Sequence, residues 1–251
     1  MRLIFLGVAS AFAVGDQCYQ SNMLIEGPHA KCMLIDCGSD IRHSLHDLGY
    51  SYSDIDAVYI SHLHADHVGG LEWLGFAKFF LEHHQPTLYI SENQQKTLWD
   101  NVLSGGMSTL EDRATTLETF FKLGNISNFN FNWENLNFKL IKTIHSYSNN
   151  QLQPSYGLFI KGIELKIFIS TDTRFTPELL LVFYQEADLI FHDCETSEFP
   201  SHQHAHYNEL KTLPAAIKQK MWLYHYNHEL IPDVVQDGFK GIITRGQSFE
   251  F

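Results

Sequence analysis

Basic residues are scarce in this sequence: 17 Lys and Arg stand against 29 Asp and Glu, a formal net charge of −12. No local run of lysine or arginine compensates. That argues against tracking a long nucleic acid, whose phosphates are normally neutralised by a basic patch. A small anion is a different matter, because two bound divalent ions would offset about four of those charges inside a cleft. Long apolar runs are also missing, and no stretch is apolar enough to span a bilayer. Cysteine is rare: Cys18, Cys32, Cys37 and Cys194 are the four present, none in Cys-x-x-Cys spacing. Cys32 and Cys37 flank an apolar run and read as small buried residues, which fits a reducing cytoplasm (a host's, if the gene is a phage's). There is no Pro/Ser-rich linker, repeat or low-complexity block, so one domain over residues 1–251 is the expectation. What is present suffices for a core: 44% hydrophobic residues with 14% aromatics, and only 18% charged, which excludes a disordered chain.

The opening MRLIFLGVASAFAVGD has the apolar centre and Ala-x-Ala-like end of a secretory leader. Its single Arg2 and the turn-forming Gly7 and Gly15 fit a first strand equally well. The strand reading is favoured because the pattern resumes at once in NMLIEG and CMLIDCG. A helix-like IRHSLHDLG follows, and then AVYIS leads straight into SHLHADHVGG. Residues 70–100 read as helix, strand, helix (LEWLGFAKFFLEHH, TLYIS, ENQQKTLWDNVL). Residues 101–135 are less regular, with an Asn- and aromatic-rich stretch, NISNFNFNWEN. NFKLIKTIH, SYGLFIKG, ELKIFISTD, ADLIFHD and KQKMWLYHY then read as strands, and IPDVVQDGFKGIIT closes the chain. Two similar halves of strands with interspersed helices predict an α/β protein, two stacked sheets covered by helices on both outer faces.

The densest chemistry is His62-Leu63-His64-Ala65-Asp66-His67, on the polar loop after AVYIS. Three imidazoles and a carboxylate in six residues form a borderline-soft donor set suited to zinc. His62 and His64 alternate, so an extended segment projects them to one side to share an ion, while Asp66 and His67 on the following turn can face a second. The bland alternative is a solvated polar loop. Two features weigh against it. His145, Asp172 and His225 each follow an apolar strand, and strand C-termini along one sheet edge converge on one cleft. Asp172 has two oxygens with which to bridge two ions, which a histidine lacks.

His62-x-His64-x-Asp66-His67, followed by separate His, Asp and His ligands, resembles the metallo-β-lactamase superfamily over essentially the whole chain. The resemblance implies an αββα four-layer sandwich holding two divalent metal ions, zinc or else manganese. It assigns His62, His64 and His145 to one ion and Asp66, His67 and His225 to the other, with Asp172 bridging. It also implies a water made nucleophilic at neutral pH by the pair of ions, with Asp66 orienting it. Asp rather than Cys at position 172 separates the chain from the true β-lactamases of that fold.

Ser170-Thr171-Asp172-Thr173-Arg174 and the later Ala187–Thr196 segment, ADLIFHDCET, resemble the ribonuclease Z branch. In that branch a following histidine serves the scissile phosphate and the leaving oxygen. His204 in HAHYNEL aligns with it, and His206 is its rival; the bland alternative is a solvated His202-Gln203-His204 loop. His145 and Asp172 are only 27 positions apart, the gap filled by one apparent hairpin, so the Gly-rich basic arm that clasps transfer RNA in ribonuclease Z is missing. SNMLIEG, LIDCGSDIRHSLHDLG, DIDAVYISHLHADHVGGLEWL, HAHYNELKTLP and KMWLYHY are similar to the compact cyclic-nucleotide phosphodiesterases that phages use against the Pycsar defence, and to their bacterial relatives. That likeness implies hydrolysis of 3′,5′-cyclic nucleotides, cCMP and cUMP included, by a homodimer, with no long nucleic acid and no membrane as partner. The alternatives are a ribonuclease Z-like RNA 3′-endonuclease and a protein that sequesters a nucleotide without cleaving it.

In the 101–135 stretch, Asn125, Asn128, Phe129 and Trp133 fit either a cap that stacks on a base or the packing of a loop or dimer contact. His43, His46, His83, His84 and His228 are assigned to no metal.

Overall fold

The computed structural model describes residues 1–162, 164–227 and 231–251; His228 lies outside the described residues. In the first half, the apolar runs separated by turns become β1 (Arg2–Phe5), β2 (Met23–Glu26), β3 (Cys32–Ile35), β4 (Ile55–Ile60), β5 (Thr87–Ile90) and β6 (Lys122–Leu123). In the second half they become β7 (Asn130–Trp133), β8 (Leu136–Lys142), β9 (Tyr156–Lys161), β10 (Lys166–Ile169), β11 (Leu189–Asp193), β12 (Met221–Tyr224), β13 (Gly241–Ile242) and β14 (Ser248–Glu250).

These strands form two seven-stranded sheets, ordered β14-β1-β2-β3-β4-β5-β6 and β13-β12-β11-β10-β9-β8-β7. Each sheet has three antiparallel pairings on one side and three parallel ones on the other. The halves therefore repeat one plan, as the matching strand patterns predicted. The strand reading of the N-terminus also holds, since β1 pairs with both β2 and β14. Two expectations were too coarse. Part of the irregular Asn-rich stretch is strand β7, and the last ten residues add a strand, β14, that the pattern of the terminal segment did not suggest.

Period-two alternation builds the layers. In β1, Leu3 and Phe5 point between the sheets while Ile4 points outward; in β10, Ile167 and Ile169 point inward and Phe168 outward. The inner core carries a run of stacked rings, with Phe131 4.2 Å from Tyr89 and 4.6 Å from Phe138. The outer face of the first sheet packs Leu34, Val58 and Ile90 against Leu45, Leu71 and Leu74 of the helices Ile41–Asp47 and Leu71–Ala77. The second sheet packs Phe168, Ile190 and Leu223 against Leu180 and Tyr184 of the helix Pro177–Glu186. Three apolar layers separate four structural ones, a helix–sheet–sheet–helix sandwich. Each large side chain so buried contributes about 1.5–3 kcal/mol; the inner layer draws on both halves, while each outer layer is built from one half alone. No helix among the described residues is long and apolar enough to cross a membrane.

Candidate metal centre

The chemistry-bearing residues sit where strands end. His62 follows β4, His145 follows β8, Asp172 follows β10 and His225 follows β12. Asp66 and His67 lie on the one-turn helix Ala65–Val68, begun by the His64 carbonyl accepting from the His67 and Val68 amides at 2.9 and 3.0 Å. The sequence reading expected a turn there, and the helix serves the same end by aiming both side chains back at the strand ends. Gly38 allows it, because a Cβ there would lie 2.1 Å from the Asp66 carbonyl oxygen. Three non-glycine residues around the site hold left-handed backbone: Asp36 (φ 63°), Thr171 (φ 50°) and His225 (φ 65°). Such conformations concentrate where surrounding structure over-determines them, functional sites included.

All seven side chains expected to hold metal come together, in two groups. His62 Nε2 and His145 Nε2 lie 3.0 and 3.1 Å from His64 Nδ1, close to the edge of about 3.3 Å that a tetrahedral ion with bonds near 2.0–2.1 Å requires. His67 Nε2 lies 3.1 Å from Asp66 Oδ2 and 3.2 Å from Asp172 Oδ2. Asp66, His67, Asp172 and His225 present donor atoms all within 4.8 Å of one another. Asp172 joins the groups: its Oδ2 is 3.8 Å from both His62 Nε2 and His145 Nε2, and 3.6 Å from His225 Nε2.

Whether this set suits divalent cations can be read from what is left unsatisfied. Asp172 Oδ1 and both ring nitrogens of His225 are buried without a hydrogen-bond partner. A buried acceptor or donor left so costs about 1–3 kcal/mol, more when charged, and a cation removes that cost for Asp172 Oδ1 and for one of the two His225 nitrogens. The non-ligating edges of three other histidines are already tied. His62 Nδ1 meets Ser61 Oγ at 3.0 Å, His67 Nδ1 meets Asp36 Oδ2 at 2.7 Å, and His145 Nδ1 donates to the Gln203 carbonyl at 2.8 Å. Such outer bonds fix ring orientation and tautomer for metal ligation. Arg174 braces the same corner, donating to the His145 carbonyl at 2.8 Å and to Gln203 Oε1 at 3.3 Å.

Electrostatics divide the groups. Burial holds His62 well below the usual imidazole range, lowers His64 and brings His145 down to about 4, so all three are neutral, the form that binds metal. His67 is opposite in sense. Burial would lower it, but the Asp66, Asp172 and Asp36 carboxylates outweigh burial and hold it well above its ordinary value. Burial likewise pushes Asp66 and Asp172 up, and the histidine charges overcome it, leaving Asp66 at about 2 and Asp172 well below the carboxylate range.

His204 stands at the edge of the centre. Its Nδ1 is 2.9 Å from Asp193 Oδ2 and 3.8 Å from Asp172 Oδ2, and its ring stacks on His225 at 4.8 Å. Burial works against its charge, yet Asp193 prevails and raises it to about 10. Asp172, Asp193, His204 and His225 also form a cluster of metal-ligand dimensions. The rival His206 faces elsewhere: its Nδ1 accepts from the Asn208 amide at 3.2 Å, and its Nε2 meets the Ser197 carbonyl at 3.0 Å. It caps a helix.

Two residues at the centre were missed in the sequence reading. Asp36, in LIDCG, holds His67 and also accepts from Ser61 at both its amide and its hydroxyl, each 2.8 Å. Asp193 holds His204. Its position was signalled, because neighbours on a strand face opposite ways: His192 is buried outward on the Tyr184 hydroxyl at 2.7 Å, so Asp193 turns to the site. In the Asn-rich stretch, Trp133 belongs to the inner core, while Asn125, Asn128 and the exposed Phe129 line a surface groove that none of the centre's histidines borders.

Residues 1–249 match the family described as Anti-Pycsar protein Apyc1. An Anti-Pycsar protein Apyc1 of Paenibacillus harenae is 37% identical over 253 residues, covering 100% of both chains. One from Bacillus phage vB_BsuM-Goe3 is 31% identical over 236 residues, covering 90% of this chain and 88% of its own. Among solved structures, the metallo-beta-lactamase fold protein YhfI from Bacillus subtilis superposes with a TM-score of 0.73 at 18% identity, over 99% of this chain and 98% of that one. That likeness is one of fold.

Proposed function

The chain belongs to the Anti-Pycsar protein Apyc1 family and is a hydrolase of the metallo-β-lactamase fold, and from that premise we propose that it opens 3′,5′-cyclic nucleotides, cCMP and cUMP among them, to nucleoside monophosphates. In this reading it disarms a cyclic-nucleotide defence in the cytoplasm where that signal is made. His62, His64 and His145 would hold one divalent cation and Asp66, His67 and His225 the other, with Asp172 shared; the imidazole-rich set favours zinc, with manganese as the alternative. When bound, such a pair polarises a phosphoryl group and acidifies water at neutral pH.

The chain's own groups supply the rest. Asp66 orients the attacking water and accepts from it. His204, kept charged by Asp193, stands ready to stabilise the developing oxyanion and to give its proton to the departing sugar oxygen. Water adds to phosphorus, one of the two ester bonds breaks, and the proton on His204 ends on the freed hydroxyl. The observation that carries the proposal is the convergence on one oxygen: five histidines have a ring nitrogen within 3.8 Å of Asp172 Oδ2.

A homodimer is part of the same reading, supported by Leu179, Leu181 and Val182, which the helix Pro177–Glu186 leaves exposed. The test is a panel of cyclic nucleotides assayed with zinc and with manganese, with bis(p-nitrophenyl) phosphate as control. The proposal expects ring opening that Asp66→Ala or His64→Ala abolishes; either variant at full activity with ordinary metal content overturns the assignment.

A further inference from the structure

A pair of cations on the seven residues leaves one buried oxygen of the centre unsatisfied. Asp193 is 0% exposed. Its Oδ2 accepts from the Thr173 amide at 2.9 Å and lies 2.9 Å from His204 Nδ1, but its Oδ1 is buried with no hydrogen-bond partner. A carboxylate oxygen kept from water in this way calls for a donor or a cation. None of Asp193, His204 and His225 lines the pocket of about 230 Å³ that Asn93, Gln94 and Pro154 wall beside His62, His64 and His145. The unsatisfied corner is separate from that opening.

The surroundings of that oxygen have the dimensions of a metal site. Asp172, Asp193, His204 and His225 present donor atoms all within 4.8 Å of one another. His204 Nδ1 stands 2.9 Å from Asp193 Oδ2 and 3.8 Å from Asp172 Oδ2, and His225 Nε2 stands 3.6 Å from Asp172 Oδ2. Those spacings straddle the edge of about 3.3 Å for a tetrahedral ion. In the Asp66 group the matching distances are 3.1, 3.2 and 3.6 Å, so spacing alone does not prefer one set to the other. Each set also offers the same donors, two carboxylates and two imidazoles. His225 Nε2 has a single lone pair and serves one cation at a time, so the two sets are never complete together.

We propose that Asp172, Asp193, His204 and His225 form an alternative seat for the second divalent cation, in which the protein is loaded but idle. The inference rests on the two-cation reading and adds a way in which that centre is switched off. A cation on His204 Nδ1 replaces the contact with Asp193 Oδ2 that holds the ring ready for the leaving oxygen. It also leaves Asp66 without the ion beside which it orients water. Metal count and activity then part company: a chain carries its full complement of ions and turns nothing over.

The test is elemental analysis of zinc-loaded protein after gel filtration, with turnover of cCMP measured beside it. Asp66→Ala/His67→Ala removes two ligands of the resident seat and leaves the alternative one whole. It is expected to keep about two ions per chain without turnover, and to fall to about one when His204→Ala is added. A single ion in the Asp66→Ala/His67→Ala protein, or no further loss on adding His204→Ala, overturns the alternative seat while leaving the two-cation reading intact. A wild-type crystal soaked in zinc checks the same point without any variant. Anomalous scattering is expected to place part of the second ion about 2.0–2.1 Å from His204 Nδ1; a second ion confined to Asp66 and His67 at saturating zinc overturns the seat. Wild-type protein that binds no metal overturns the two-cation reading, and the seat with it.

Discussion

His67 Nδ1 and Asp36 Oδ2 are 2.7 Å apart and both are buried, although Asp36 directly follows β3 and His67 lies on the one-turn helix after β4. Through this bond Asp36 sets which edge of His67 faces Asp66 and Asp172, and its two bonds to Ser61 anchor the start of the His62 loop as well. Asp36→Asn keeps the shape but removes the charge, and is expected to cost about 10–100-fold in metal affinity. Titration against a competing chelator checks this. Unchanged affinity would reduce Asp36 to a packing residue.

His204 and Asp193 act as a pair, and two variants separate their parts. His204→Ala should lower kcat by about 10²–10⁴-fold, the range for losing a general acid, with metal content retained. Loss of metal instead would make His204 a ligand, as its cluster with Asp172, Asp193 and His225 allows. Asp193→Asn leaves the imidazole but removes the carboxylate that raises it to about 10 against the opposing effect of burial. The alkaline limb of the kcat profile is then expected to move to lower pH.

Metal uptake should release a proton from His67. In the metal-free site that ring is held well above its ordinary value, so at neutral pH it carries a proton that a cation must displace. The sign follows: below the raised value the proton competes, and apparent affinity falls as pH is lowered. Calorimetric titration in two buffers of different ionisation enthalpy checks it. Heats that do not depend on the buffer would contradict it.

Precursor transfer RNA should be left uncut under conditions in which cyclic nucleotides are opened. Between His145 and Asp172 the described residues hold only a short hairpin, Tyr147–Ser148 with Gln151–Leu152, and the strands β9 and β10. No clasping arm is among them, and a chain of net charge −12 gains little from counterion release on a long strand. Incubation of one preparation with both substrates decides. RNA cleavage at a comparable rate would favour the endonuclease alternative.

The layers were legible because alternation along strands is a local property: Leu3, Ile4 and Phe5 announce two faces without reference to anything distant. The seven candidate ligands were legible for a related reason. Four of them, His62, His145, Asp172 and His225, closely follow strand ends, and a polar residue after an apolar run is conspicuous. Asp36 was passed over because one carboxylate after an apolar run has many structural uses, and only folding shows it on His67. Asp193 was passed over as well, although alternation along β11 marks it: His192 is turned outward to Tyr184, so its neighbour faces the site. The wall of the pocket beside the histidines was unreadable in principle. Gln94 meets the Pro154 carbonyl across 60 residues of sequence, and a helix's amides carry no mark of the cavity they will face.

The central claim is that His62, His64, Asp66, His67, His145, Asp172 and His225 surround a pair of cations. Elemental analysis of freshly purified, unchelated protein, run beside Asp172→Ala, tests it most directly. About two divalent ions per chain are expected, with a clear loss in the variant because both groups share that carboxylate. A metal-free wild-type protein, or an Asp172→Ala variant as fully loaded as its parent, would contradict it.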